Sequence, residues 1–453
     1  MYFRDVIANL LKRKKDVATL LKKKKDVIIK TLYLCLILAF TIWVSSIPNS
    51  LTSGNNARTS FITSMNLSPI GEKASCESEH FCELEGDVRV EAKSGTIYVM
   101  THNETISNST DSWIIRPYVR WYIYNVRHWT VKVVRYSEED KNAPKCTRKH
   151  YTPAILFSDE GFSLNHFHCY ADVVFPLYMT SFGYRPDIHL LITDYRDWFV
   201  SKNHEILKRV SQYPIMDIDK ENEQVHCYQK MFVGLKFFGD FLVNKSIPEY
   251  AAGMSIDNFR QFLRDTYSLE RQTAIRPSLV NLTRPRLMIV SRKSSRILLN
   301  EDEISRVAKE VGFNVISTDS GLSTNQSRFA QLVNSCDVLM GIHGAGLTNM
   351  LFLPDNAVFI QMLPFGPLDY WTAMEFRDPT WDMSISYLDY RISIEESSLS
   401  TQYAPDDPIL ADPISQYAKG WDFIRDVYLS VNFTIDVGRF KGTLVEAMKI
   451  LQH

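Results

Sequence analysis

The chain has 453 residues, 45% of them hydrophobic and 23% charged, with a formal net charge of −1 at pH 7. That length supports more than one core, and that composition excludes a wholly disordered chain. Basic residues gather at the N-terminus and leave a mildly acidic remainder, which argues against a nucleic-acid partner.

Residues 1–30 form a basic tail, with Lys12-Arg13-Lys14-Lys15 and Lys22-Lys23-Lys24-Lys25 in a near-repeat. Residues 31–47 carry no charge and are dominated by Leu, Ile, Val, Phe and Trp. At the rise of an α-helix this run spans roughly 25 Å, enough for a thin membrane. The Lys and Arg excess on its N-terminal side predicts a cytoplasmic tail and a single-pass type II anchor. No small-residue cleavage pattern follows, so a removed signal peptide is the weaker reading. Residues 48–80, rich in Ser, Thr, Asn and Gly, read as a stem.

Asn-X-Ser/Thr sequons occur at Asn66, Asn103, Asn108, Asn244, Asn281, Asn325 and Asn432, all beyond the anchor, as expected of a luminal chain. Of the seven cysteines, Cys35 lies in the anchor. Cys76 with Cys82, and Cys146 with Cys227, are the candidate disulfides, and Cys169 and Cys336 are candidate buried thiols.

Residues 81–284 are expected to form a first domain. Polar and apolar residues alternate between Cys82 and Val133, which predicts short strands. From Pro153 onward strands alternate with helices: strand 154–158, helix 165–182, strand 188–193, then helices at 198–210 and 256–267. Asn165 is placed to cap the first of these helices, which sets His168 and Asp172 at i and i+4 on one face. An imidazole beside a carboxylate is a base unit able to deprotonate a hydroxyl, with either residue as the base. The same pair would also serve to lock helix to sheet. His166 reads as a packing residue. Asp217-Ile218-Asp219 has the form of a metal-binding pair, but Pro214 and Lys220 flank it and a loop is the preferred reading. No metal ligand is assigned.

Residues 285–453 are expected to form a second domain of the same alternating kind, with strands at 286–290, 313–317, 338–342 and 357–363 and helices at 301–311 and 326–335. Mostly parallel sheets follow, with ligands at strand C-termini and a cleft between two Rossmann-like halves. Arg292 and Arg296 follow the first of these strands and suit a diphosphate. The run Val338 to Asn349 passes from an apolar strand into a turn with Gly341, Gly344 and Gly346, and His343 sits within it. Such a strand–turn–helix junction is a ready anion site. Glu396, after an expected strand at 392–394, is placed to hold ribose hydroxyls. Trp371, Trp381 and Tyr387 are candidates to stack on sugar or uracil rings, though most such side chains are expected in the core, and helices at 421–430 and 442–451 could pack back across the domain junction.

Ser291-Arg292, Arg296, Asn300-Glu301, Asp337 through Asn349, Phe352-Leu353-Pro354 and Glu396-Ser397-Ser398-Leu399 together resemble glycosyltransferase family sixty-one. Cys82 to Arg89 and Ile115-Arg116-Pro117-Tyr118 are similar to its plant xylan-modifying branch. The resemblance implies an α/β fold of two Rossmann-like domains facing a cleft (GT-B type), an inverting mechanism, a uridine-diphosphate sugar donor and no required metal or other cofactor. It places His343, Gly344, Ala345, Gly346, Thr348, Asn349 and Glu396 with Arg292 and Arg296 at the donor. Asn165, His168 and Asp172 match its Asn-x-x-His-x-x-x-Asp pattern on the acceptor side. Many plant members carry Gly-Gly-Tyr-Thr-Gly-Asn before that His, whereas this chain has Glu160 to Asn165 as Glu-Gly-Phe-Ser-Leu-Asn. The expectation is a Golgi enzyme adding xylose or arabinofuranose to xylan, with room for an enzyme complex in that membrane. The rivals are a xylosyl- or N-acetylglucosaminyltransferase acting on glycoprotein glycans, and a non-catalytic membrane-tethered sugar-binding subunit.

Overall fold

The computed structural model describes residues 73–452 except 103–111, 121–122, 124, 137–142, 252–253, 278–282 and 320–324. The expected tail and anchor, and the sequons at Asn66, Asn103, Asn108 and Asn281, lie outside the described residues. Among the described residues no helix is long and apolar enough to cross a membrane.

The first half is built on a ten-stranded sheet. Its strands are β1 (Lys73–Ser78), β2 (Phe81–Glu91), β3 (Thr96–Thr101), β4 (Ser112–Ile115), β5 (Trp129–Arg135), β6 (Arg148–Lys149), β7 (Ala154–Ser158), β8 (His189–Thr193), β9 (Met216–Asp217) and β10 (Val225–Val233). The strands from Pro153 onward are parallel, as expected, but they share the sheet with earlier strands that run antiparallel. β7, β8 and β9 are parallel, but β2 runs antiparallel to β1, β3 and β10. The long strand β10 is the seam, antiparallel to β2 on one side and parallel to β7 on the other. Cys76 lies opposite Cys82 in the β1–β2 hairpin and is bonded to it, and Cys146 is bonded to Cys227. Cys169 and Cys336 are buried free thiols.

The second half is the parallel sheet the sequence predicts, in the order β12-β11-β13-β14-β15. Its strands are β11 (Arg286–Ser291), β12 (Asn314–Asp319), β13 (Val338–Ile342), β14 (Val358–Leu363) and β15 (Ser386–Arg391). β13 and β14 are buried along their whole length, as strands covered on both faces must be. β15 ends before the strand expected at 392–394, which is instead a turn.

Helices fill the space between and around the sheets. α1 is one helical stretch in three segments: His166–His168, a π-helical turn Cys169–Val174, and Phe175–Thr180. α2 (Asp197–Lys202) and α3 (His204–Val210) split the single helix expected there, and α4 (Ile256–Thr266) follows. The second half adds α5 (Glu301–Val311), α6 (Gln326–Asn334), α7 (Asp369–Thr380), α8 (Trp421–Tyr428) and α9 (Val437–Gln452). One continuous apolar core joins the halves: Phe175 of α1 packs on Phe259 of α4 at 5.1 Å between ring centroids, and buried Arg260 of α4 donates to the Leu353 carbonyl at 2.7 Å. The terminal helix α9 packs on α5, β14 and β15 of its own half, not back across the junction as expected.

Asp337, fully buried at the start of β13, closes the connection between the halves. It accepts from the Arg271 guanidinium at 2.5 Å and from the Ile275 and Arg286 backbone N–H groups at 2.7 Å each. Replacing it by Ala strands two amides and a guanidinium. Asp337→Ala should cost about 3 kcal/mol or more, read as a lower denaturant midpoint at unchanged slope.

Candidate functional site

A cleft of about 510 Å³ opens between the halves, lined on one side by Asn165, Phe167 and His168 and on the other by Ser295, Arg296, His343, Gly344 and Ala345. Glu375 and Phe376 of α7 form part of its lining, as do Trp421, Arg425, Asp426, Leu429 and Ser430 at α8.

On the first wall Asn165 caps α1, its Oδ1 accepting from the Phe167 N–H at 2.9 Å. The cap starts the helix so that His168 stands at the cleft and Asp172 one turn deeper. Asp172 is fully buried and all its lone pairs are engaged. Oδ1 accepts from Arg120 Nε at 3.0 Å and Nη2 at 2.5 Å, and Oδ2 accepts from Tyr118 Oη at 2.7 Å and His168 Nδ1 at 2.9 Å. Burial works against the charged form, but the hydrogen bonds from His168 and Arg120 outweigh it and hold the carboxyl below its usual range. Asp172 holds the His168 ring through Nδ1, and His168 itself lines the cleft. Arg120 also pairs with Asp240, so the unit is braced from a second loop.

The loop before α1 is fixed by the same tyrosine. Tyr118 Oη accepts from the Phe162 N–H at 3.0 Å, and Gly161 (φ +66°) lies where a Cβ would meet the Tyr118 ring at 2.5 Å. Asp159 in that loop is buried, accepts from the Arg196 N–H at 3.0 Å and leaves Oδ1 without a partner. Burial pushes it up to about 8.

The second wall holds cations without counter-charges. Arg292 donates to the Ser295 carbonyl at 2.8 Å, and its guanidinium lies over Gly344, where a Cβ would collide with Nη1. Arg296, with φ +55°, is held by its N–H donating to the Val431 carbonyl at 2.8 Å, while its Nε has no partner. Among the described residues no carboxylate pairs with either guanidinium within 4.0 Å: Asp319 pairs with Lys293 and acts on Arg292 only from a distance, as Glu375 does on Arg296. Burial and the neighbouring Arg292 push Arg296 down to about 10. His343 ends β13 with its Nδ1 accepting from Gln361 Nε2 at 2.9 Å. That amide is oriented by the Thr372 carbonyl, which takes the same Nε2 at 2.8 Å, and by Tyr387, whose Oη donates to Oε1 at 2.9 Å. Nε2 of His343 therefore carries the proton. Burial and the two arginines push His343 down to about 3, so the ring stays a neutral donor. The 3-10 helix Ala345–Phe352 begins at this point, with its first N–H groups at the turn.

Several sequence assignments fall elsewhere. Glu396 is buried and saturated internally: it accepts from Tyr390 Oη, from the Ser393 and Asp436 N–H groups at 2.8 Å each, and from Arg439. It organises the β15–α9 connection and does not line the cleft. Thr348 and Asn349 are buried behind the turn, and Asn349 bonds to the Gly346 carbonyl at 2.8 Å and His166 Nε2 at 3.3 Å. His166 is thus a contact between the halves. Asp219 of the Asp-X-Asp is taken up by Thr193, the Asp194 N–H and Arg127, and Asp217 by Lys220. Among the described residues no group of three His, Cys, Asp or Glu side chains is placed to hold a metal ion. Asn325 is exposed and caps α6, Asn244 is half-buried, and Asn432 Oδ1 accepts from the Ile297 N–H at 3.0 Å, next to Arg296. Arg120 and Glu375 carried no sequence signal. Tyr118 stood within a motif but without a role.

The family model described as Glycosyltransferase 61 matches residues 167–360, which include His168 and Asp172 on one wall and Arg292, Arg296, His343 and Gly344 on the other. The chain is 37% identical over 393 residues to alpha-1,3-arabinosyltransferase XAT3 of Oryza sativa subsp. japonica, covering 85% of this chain and 66% of that protein. It is 32% identical to beta-1,2-xylosyltransferase XYXT1 of the same plant (82% of each chain) and 30% identical to xylan glycosyltransferase MUCI21 of Arabidopsis thaliana (87% and 83%). The chain thus spans just under two thirds of the length of the rice arabinosyltransferases it matches.

Two outcomes follow from this geometry. Gly344→Ala should displace the Arg292 guanidinium and weaken uridine-diphosphate binding by about tenfold or more in a folded protein, as calorimetry would read. The folded chain keeps a proton on Asp159 that the unfolded chain sheds above the ordinary value of 3.8, so this group's contribution to stability falls as pH rises towards about 8. Asp159→Asn should flatten that fall in a pH series of melting temperatures.

Proposed function

Because the chain belongs to glycosyltransferase family 61, we propose that it is an inverting transferase of GT-B architecture. It moves a pentose, xylose or arabinofuranose, from a uridine-diphosphate sugar to a xylan backbone. The observation that carries this is one cleft with His168, oriented by Asp172, on one wall and the unpaired Arg296 with His343 and the Gly344 turn on the other. The activities for which these relatives are named support the substrate class.

In this mechanism His168 Nε2 takes the proton of an acceptor hydroxyl, and Asp172 stabilises the imidazolium that forms. The hydroxyl oxygen attacks the anomeric carbon from the face opposite the diphosphate. The bond to the departing phosphate oxygen breaks, and its charge develops against Arg292, Arg296, the His343 Nε2–H and the turn amides. Two fixed guanidiniums supply the positive charge that a divalent metal would otherwise bring, and the proposal assigns none. The basic tail and the apolar run at 31–47 support a type II anchor in the Golgi membrane, and two disulfides suit that oxidising lumen.

The test offers the full-length chain in membranes each of several uridine-diphosphate sugars with xylo-oligosaccharides and a chelator. A product heavier by one pentose, with inverted anomeric configuration, is expected. Failure of every pentose donor, with transfer of another sugar or none, would sink the reading. His168→Ala and Asp172→Asn should lower kcat on the order of 10²- to 10⁴-fold while uridine-diphosphate affinity stays put. Arg296→Ala should instead weaken that affinity.

A further inference from the structure

Between the two walls stands a carboxyl group that the mechanism above does not use. Glu375 lies on α7, a helix locked to the phosphate side in two ways. Gln361 bonds both the Thr372 carbonyl of α7 and His343, and Phe376 packs on His343 at 5.7 Å and on Phe167 at 5.4 Å between ring centroids. Glu375 Oε2 is 3.6 Å from His343 Nε2, too long for a hydrogen bond. No hydrogen bond to its carboxyl is present among the described residues. Its side chain is 40% exposed and lines the cleft.

The charged and titratable groups that face it come from both walls: Asp240, His168 and Arg120 from the first, Arg296 and His343 from the second. Glu375 therefore sits between the base and the phosphate cradle, the space a transferred sugar ring has to occupy. It is not placed to be the base. Inversion needs the base on the face opposite the leaving group, and Glu375 is beside His343 on the leaving-group side. A carboxylate at the ring edge has two oxygens to offer, and the ring of a pentose presents vicinal hydroxyls. Burial, with Asp240 nearby, pushes Glu375 up to about 7, the behaviour of a carboxyl short of donors.

We propose that Glu375 accepts hydrogen bonds from the hydroxyls of the transferred sugar and so determines which sugar the donor site selects. The inference rests on the transferase reading and adds a specificity residue to it. A site built to bond a hydroxyl rejects a sugar that lacks or misplaces it, because the bound sugar then covers the acceptor and leaves it unpaired.

The test measures binding of uridine diphosphate and of its xylose, arabinofuranose and glucose conjugates to the full-length wild type, Glu375→Gln and Glu375→Ala. Uridine-diphosphate affinity should stay within about twofold across all three proteins, which also reports that they are folded. The wild type's preference among the sugars should shrink about tenfold or more in Glu375→Ala, with Glu375→Gln, which keeps one acceptor, in between. Retention of the wild-type preference in Glu375→Ala overturns the proposal. So does an equal loss of uridine-diphosphate affinity, which would place Glu375 at the nucleotide instead. If the wild type transfers no sugar yet distinguishes the conjugates, the transferase reading fails while the binding ratios still decide the role of Glu375. A wild type that binds none of the conjugates overturns both.

Discussion

A carboxylate removed from water has to be paired on both oxygens, and much of the first wall of the cleft is arranged around that requirement at Asp172. Its three donor residues come from two places in the chain: Tyr118 and Arg120 on the loop after β4, and His168 one helical turn away. Each donor is then held by something else. Arg120 is shared with Asp240, and Tyr118 receives the Phe162 N–H and packs its ring where any side chain at Gly161 would stand. The loop from Asp159 to Leu164, which departs from the plant pattern, is thus docked onto the same carboxylate that sets the tautomer of His168. A change of residue in that loop is transmitted to the base through one phenol.

The opposite wall follows the reverse rule. Arg292 and Arg296 are confined together with no carboxylate in direct ion-pair contact among the described residues, and the fold tolerates their repulsion. An arrangement of this kind destabilises the free protein and is offset when an anion enters. The same two cations, with burial, keep His343 neutral, so its Nε2–H is a donor whose charge does not change over the physiological range. The anionic wall is satisfied from within and the cationic wall is not, which gives the cleft a direction. In the proposed mechanism a nucleophile is deprotonated on one side, and negative charge leaves on the other.

What the sequence revealed of this depended on how local each constraint is. The parallel sheet was legible because buried strands read as unbroken apolar runs, as in Val358 to Leu363. The mixed sheet was not, because β2 and β10 meet only through a long-range pairing that no local pattern announces. The His168–Asp172 spacing and its Asn165 cap were visible, yet the division of roles was decided by Tyr118 and Arg120, 54 and 52 residues away from Asp172. Glu396 illustrates the opposite error. A carboxylate beyond a strand reads as available, but β15 ends at Arg391, and the turn that follows hands Glu396 to Arg439 on α9. Glu375 gave no signal because α7 carries Pro379 and several aromatics and lacks a clean apolar stripe.

One local distortion reconciles the two demands on α1. In a regular helix His168 and Asp172 would stand on one face at similar depth, and solvent reaching the imidazole would also reach the carboxylate. The π-helical turn Cys169–Val174 widens the helix between them. All six residues of that turn are buried, and Asp172 has no exposure while the His168 side chain keeps 25%. Cys169 and Ala171 are small enough to bring the backbone close to its neighbours, as in the 4.0 Å approach of the Cys169 sulfur to Asn203. A carboxylate held in low dielectric grips the Nδ1 proton more firmly than a hydrated one would. The ring can therefore accept a proton at Nε2 without leaving its orientation. Depth, more than spacing, is what would let the pair work as the proposed base, and the widened turn supplies the depth.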